Sequence, residues 1–158
     1  MLFAFSVSKR VGYVNIKSLP NGVHFYVQKR TDFNGRNTAI PFDHALVNEG
    51  EAMNLERGVF VAPVPGIYHF QFKGENKPSW TSSDNLDINL RLNERFIGNA
   101  FMPADTWKSM TSSVHATLKL QRGDRVDVHK KFGGTLVDDE ATPDTHFTGT
   151  LLEEDLTI

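Results

Sequence analysis

The chain has 158 residues, 17 of them Lys or Arg and 19 Asp or Glu, for a formal net charge of −2. That near balance exerts no general pull toward nucleic acid or an anionic membrane surface, and no apolar run approaches the ~18 residues that span a bilayer. Cysteine is absent, so neither a disulfide nor a thiol nucleophile is available, and the length is that of one ordinary domain, residues 1–158, relying on its core alone.

Gly, Asn, Asp and Thr are plentiful and Ala-rich helical stretches are missing, which favours an all-β chain. Turn signals every ten or so residues indicate a sandwich or jelly roll. Strands are predicted near 3–8, 23–29, 39–42, 44–48, 58–62, 66–73, 84–92, 95–101, 112–120, 125–132 and 146–153. Met1-Leu2-Phe3 runs straight into the first of these, so no leader is visible and the sequence reads as a mature domain without its leader, the alternative being a naturally leaderless cytosolic protein. Val11 to Ile16 alternates weakly, Pro20-Asn21-Gly22 is a tight-turn signal, and Val23-His24-Phe25-Tyr26-Val27 has strong strand propensity. Together they predict an extra hairpin near residues 11–37, followed by a loop at Asp32–Asn37, which either covers a sheet edge or forms a distinctive surface. Ala62-Pro63-Val64-Pro65-Gly66 is a rigid turn closed by glycine. After it, Tyr68, Phe70 and Phe72 share one strand face and require a thick apolar partner layer. Leu86, Ile88, Leu90 and Leu92 alternate with Asp87, Asn89 and Arg91, as a half-buried strand does. Asn93-Glu94 turns the chain back, Val114, Ala116, Leu118 and Leu120 form another inward set, and Gly123-Asp124 is the next hairpin turn.

No catalytic constellation is present: there is no Gly-rich phosphate loop, no HExxH helix and no cysteine nucleophile. The six histidines fall on different strands, mostly at polar or exposed positions, with His69 facing away from the core. A zinc site needs three or four converging ligands. Asp138-Asp139-Glu140 is either a cation ligand or a charged surface turn. Two polar loops each carry one tryptophan, Trp80 within 73–84 and Trp107 within 102–108. An indole among amides, hydroxyls and carboxylates can stack on a sugar face while its neighbours bind hydroxyls. The candidate ligand-binding set is therefore Asn76, Trp80, Asp84, Asp105 and Trp107, provided the two loops share one end of the sandwich. The competing reading packs each tryptophan against the sandwich rim or a neighbouring subunit.

The spacing of Phe42, Asn48, Met53, Phe60, Gly66, Tyr68, Phe70 and Phe72 resembles that of the complement C1q-type globular head, a branch of the tumour necrosis factor-like superfamily. The one mild departure is Met53, where the pattern expects an aromatic or Leu. Phe3–Ser8 looks like the family's first strand, 42–50 its second strand and turn, 118–128 its late hairpin, and 146–152 its last strand. Residues 9–37 then look like an unusually long connection. The resemblance implies a ten-stranded antiparallel jelly-roll β-sandwich that forms symmetric homotrimers through one apolar flank, to which Tyr68, Phe70 or Phe147 contribute. It implies a secreted, extracellular, non-catalytic, head-only recognition module. The expected role is lectin-like pattern recognition in innate immunity, with microbial polysaccharide, lipopolysaccharide or sialylated glycan as ligand. The alternatives are a protein-binding ligand or matrix component and an extracellular metal-binding protein. Calcium is the family-relevant ion, but its site looks degraded: Ala100-Phe101 is followed by Met102 and Pro103, and a later acidic position is Met110, leaving few oxygen ligands. Trimer symmetry can also bring copies of one histidine together.

Overall fold

The computed structural model describes residues 22–76, 84–136, 141 and 143–157. Among them, eleven strands follow in chain order: β1 (His24–Gln28), β2 (Thr38–Ala39), β3 (His44–Glu49), β4 (Met53–Asn54), β5 (Val59–Val61), β6 (Gly66–Asn76), β7 (Leu86–Leu92), β8 (Arg95–Met102), β9 (Met110–Leu120), β10 (Arg125–Lys130) and β11 (His146–Glu154). They form two antiparallel sheets, one in the order β3-β1-β11-β6-β9 and one in the order β4-β5-β10-β7-β8, with β2 pairing β10. This is the jelly-roll sandwich. The predicted elements within the described residues reappear with shifts of a few residues; only β4, too short to alternate, has no counterpart. The predicted strand at 3–8, Trp80 and the Asp138-Asp139-Glu140 turn lie outside the described residues.

The layer between the sheets is aromatic, as the period-two pattern demands. Tyr68, Phe70 and Phe72 of β6 are fully buried and lie against Phe25, Phe60 and Phe147. The Phe60 ring is 5.5 Å from Phe25, 5.5 Å from Tyr68 and 5.2 Å from Phe70. Edge-to-face and tilted pairs of this kind add to the burial of each ring. Tyr68 keeps its hydroxyl satisfied by donating to the Val64 carbonyl at 2.7 Å, and burial pushes its pKa up to about 12. Tyr68, Phe70 and Phe147 thus belong to the core of a single subunit. None is available to a subunit-facing flank, which corrects the expectation from the sequence.

The spaced residues of the motif hold the two sheets in register. Asn48, on β3 at the edge of the first sheet, donates through Nδ2 to the Met53 carbonyl at 2.9 Å and accepts from the Met53 amide at 3.3 Å. The amide therefore clamps the turn that carries the chain into the second sheet. Gly66 is needed because a Cβ there would lie 2.3 Å from the Glu153 carbonyl oxygen across the β6–β11 pairing. The Asn93-Glu94 turn has φ of 47° and 68°, the left-handed pair of a type I′ hairpin.

The first arm of the expected extra hairpin, residues 11–21, lies outside the described residues. Every residue of β1 is paired on both sides, with β11 from His24↔Thr150 to Gln28↔His146 and with β3 from His24↔Glu49 to Gln28↔His44. The second arm of the expected hairpin is an inner strand of the first sheet.

Candidate functional site

Cross-strand pairing decides which loops meet. Asn76 opposes Met110 at the end of the β6–β9 ladder, and Leu86 opposes Met102 at the end of the β7–β8 ladder. Asn76 joins these two ladders. It is 2% exposed, and its Nδ2 points at three carbonyls: Met102 at 3.2 Å, Asp84 at 3.4 Å and Pro103 at 3.4 Å. Asn76, Asp84 and the start of the 103–109 segment therefore lie at the same end of the sandwich. Both ends of the described domain lie at the opposite pole: Val23 accepts from the Leu151 amide at 2.9 Å and Pro65 from the Asp155 amide at 2.8 Å.

Each candidate residue has a distinct place there. Asn76 is internal and positions the loop bases. Asp84 is exposed and joins the bases through its carbonyl. Asp105 is half-buried, and its Oδ1 accepts from the amides of Trp107 at 2.8 Å and Lys108 at 3.0 Å. Those two bonds hold its carboxyl below the usual aspartate range, the Trp107 amide contributing most. The turn they close carries the Trp107 indole, 76% exposed. Asn85, missed in the sequence, secures the same loop by accepting from the Ala104 amide at 2.9 Å. Lys130 was also missed, because an alternating strand does not announce a buried cation. It is fully buried, donates to the Gly35 and Gly133 carbonyls at 2.8 and 2.9 Å, and burial pushes its pKa down.

The calcium position follows the same end. Met102 is fully buried and Met110 half-buried; neither offers oxygen, and the Asp105 carboxylate serves its own turn. Among the described residues no group of three or more His, Asp or Glu stands in position to hold a metal.

Register also reorganises the histidines. Thr150 of β11 stands between His24 of β1 and His69 of β6. His146 stands between Gln28 and Lys73, and Gln28 opposes His44 of β3. His115 of β9 opposes Gln71. Paired residues share a face, so His24, His44, His69, His115 and His146 all lie on the outward face of the first sheet. The Tyr26 ring stacks on His146 at 5.2 Å. His129, in the second sheet, is 4% exposed. Burial chiefly, and the neighbouring Arg91 guanidinium next, push its pKa down.

Over the second sheet lies a cleft of about 410 Å³, whose lining includes Phe33, Pro41, Arg57, Arg125 and the Arg91–Asp127 pair. Arg91 donates from Nε and a terminal nitrogen to the two Asp127 carboxylate oxygens at 2.7 and 2.8 Å. This bidentate contact holds the guanidinium above its ordinary pKa.

Residues 24–152 match the C1q domain family. The chain belongs to that family. The C1q domain family is non-catalytic and typically trimerises. The chain is 31% identical over 104 residues to complement C1q tumor necrosis factor-related protein 3 of Mus musculus and of Homo sapiens, covering 66% of this chain and 41% of each relative. It is 33% identical over 119 residues to complement C1q tumor necrosis factor-related protein 2 of Homo sapiens, covering 73% of this chain and 39% of that protein. It thus spans about two fifths of the length of these curated relatives. Among solved structures, the globular domain of zebrafish complement 1qA protein superposes with TM-score 0.66 at 19% identity, covering 84% of this chain and 99% of that one. Murine APRIL superposes with TM-score 0.62 at 10% identity, covering 82% and 98%. Both show the fold. The family match begins at residue 24, on β1, so β1 takes the place of the family's first strand that 3–8 was expected to fill.

Proposed function

We propose that this chain is the recognition head of a secreted, extracellular protein, that it works as a homotrimer without catalysis, and that it captures glycans at the Trp107 end of the sandwich. The carrying observation is the Trp107 indole, largely exposed on a turn closed by Asp105 and a loop base pinned by Asn76. An aromatic face presented by fixed backbone stacks on a sugar ring at little ordering cost, while carboxylates and amides around it bind hydroxyls. Microbial polysaccharide, lipopolysaccharide and sialylated glycan are the ligand classes. Affinity per head is weak and multiplies when three heads engage one surface. The family likeness supports trimers, and Ile97 and Phe101 of edge strand β8, the latter 49% exposed, supply an apolar flank for the contact.

The test is a glycan and microbial-polysaccharide array probed with the parent, Trp107→Ala and Trp80→Ala. Binding by the parent that Trp107→Ala loses, with fold and trimer intact, supports the reading. Absence of glycan binding with and without calcium overturns it in favour of a protein partner. That second reading is favoured by the exposed rings of Phe96 and Phe101 on β8, an apolar patch of the kind found at protein interfaces.

A further inference from the structure

The cleft over the second sheet carries charge that its own chain does not use. Arg91 of β7 and Asp127 of β10 oppose each other across the ladder, with side chains 16% and 10% exposed. The guanidinium gives its Nε–H and one N–H of a terminal nitrogen to the two carboxylate oxygens. Three of the five N–H donors of a guanidinium are then left over, on a group held in place. Arg125 stands two residues before Asp127, on the same face of β10, and Arg57 lies in the turn between β4 and β5. Both are exposed, and both line the cleft with Arg91. The rim that carries them is fixed. The Arg125 amide donates to Asn93 Oδ1 at 2.9 Å, and its carbonyl accepts from the Asn93 amide at 2.8 Å. The Arg57 amide donates to Asn54 Oδ1 at 2.9 Å, and Gly58 beside it packs so tightly that a Cβ would lie 1.9 Å from the Ile40 carbonyl oxygen. Glu56 and Glu94 line the same cleft. Among the described residues, neither of these carboxylates is ion-paired, nor are Arg57 and Arg125.

We propose that this cleft binds a carboxylate-bearing sugar, a uronic or a sialic acid, with Arg57, Arg91 and Arg125 around the carboxylate. Its volume of about 410 Å³ is that of a small-molecule site. Three parts of the lining select the class together. Guanidiniums pair with a carboxylate through parallel N–H···O bonds, and a neutral sugar leaves them without that partner. The Glu56 and Glu94 carboxylates accept from hydroxyls and repel a bare inorganic anion. Phe33 and Pro41 supply an apolar wall for the C–H face of the ring. A sugar acid satisfies all three at once. The Trp107 end has the other character. Asp84 and Asp105 bring two carboxylates there, which disfavours an acidic sugar. Arg91 lies five residues along β7 from Leu86 at that end, a separation of about 17 Å. The cleft therefore goes beyond the glycan capture proposed for Trp107 and stands even if that end binds nothing.

The test is saturation-transfer NMR of the full chain with methyl glucuronide, methyl sialoside, methyl glucoside and sodium acetate as separate probes. At least one acid is expected to bind, more weakly as salt is added, with the glucoside and acetate silent; which acid responds tells a uronic from a sialic ligand. Arg57→Gln and Arg125→Gln should each weaken binding about tenfold, the loss of a hydrogen-bonded charge, with melting temperatures unchanged because both side chains are exposed. Arg122→Gln removes an exposed cation outside the cleft and should bind as the parent does. The proposal is overturned if neither acid binds up to tens of millimolar, if the Arg57→Gln/Arg125→Gln double variant retains parental affinity, or if acetate binds as tightly as the acids. Loss of acid binding in Trp107→Ala, with the double arginine variant unaffected, would place the acidic sugar at the loop end and overturn it as well.

Discussion

The two sheets present opposite outward faces. That of the second sheet is covered along β10 by its own chain, while its β8 edge leaves Phe96 and Phe101 exposed. Asp127, Asn89 and His129 point outward from it yet are buried. Arg91 lies across Asp127, the Phe96 ring stands 6.2 Å from His129, and Thr38, Ala39 and Pro41 wall the cleft above. The first sheet leaves Gln71, His115 and Thr117 exposed and His24, His44, His69 and His146 half-buried, with only Gln28 buried among its outward polar groups near them. Both faces are polar and differ in what covers them. Polar groups that are covered must be paired, because a buried unpaired charge is costly; polar groups left open remain available to an ion, a ligand or another subunit. The covered groups are therefore where substitution should damage folding, and the open ones where it should alter binding.

The largest test of this contrast is Asp127→Ala. It leaves the Arg91 guanidinium desolvated without its partner, a change that costs about 3 kcal/mol or more for buried pairs. In a domain of this length that is roughly 10 °C in melting temperature, measurable by thermal unfolding. A change of under 2 °C, or roughly 0.5 kcal/mol, would mean that water already reaches the pair and that the covered face is open too.

Asn76→Ala comes next. Three carbonyls lose their donor at a buried position, which costs about 1–3 kcal/mol. Glycan binding at the Trp107 loop should fall further than stability does, since the variant frees the loop bases. Equal affinity in the folded fraction would show that the loop is held without the amide.

Acid should then separate the faces through His129. Its folded-state pKa lies below the ordinary imidazole value, so the unfolded chain takes up a proton that the folded one resists. Folding loses stability as pH falls through about 6.5, by at most about 1.4 kcal/mol per pH unit, until the lower folded pKa is reached; above that window His129 has no effect. His129→Gln should flatten this part of the profile in chemical unfolding measured at several pH values. An unchanged slope would place the acid sensitivity elsewhere.

The legible and the hidden parts of this protein divide along the same physical line. Alternation within one strand is local, so the sequence already shows Tyr68-Phe70-Phe72, Leu86 to Leu92 and Val114 to Leu120. The Asn48 and Gly66 spacing is near-local and pointed to the right family. What no local pattern carries is which strands become neighbours. His24, His69 and Thr150 are far apart in sequence, and only the β1–β11–β6 order puts them in one row, so the histidines read as scattered. The same gap made 23–29 read as a hairpin arm. The burial of His129 and Lys130 went unread for a related reason, since it comes from side chains and loops contributed by distant segments. Of the loop site, the sequence supplied Trp107, Asp105 and Asn76, but their division into exposed ring, turn anchor and internal clamp needed the carbonyls of 84, 102 and 103.

The smallest expected effect sharpens the contrast most. His115 is exposed on the open face, and exposed substitutions away from special features change stability by less than about 0.5 kcal/mol. His115→Gln should therefore leave the melting temperature of the dilute domain where it is. Repeating the measurement at high protein concentration distinguishes two states of this face, because a partner that binds only the folded chain raises apparent stability by mass action. If copies of the chain cover the face as they assemble, the variant and the parent separate only when concentrated, and sedimentation shows the variant dissociating sooner. If they coincide at every concentration, the face stays bare in the assembly, and its imidazoles remain accessible to ligands from solution.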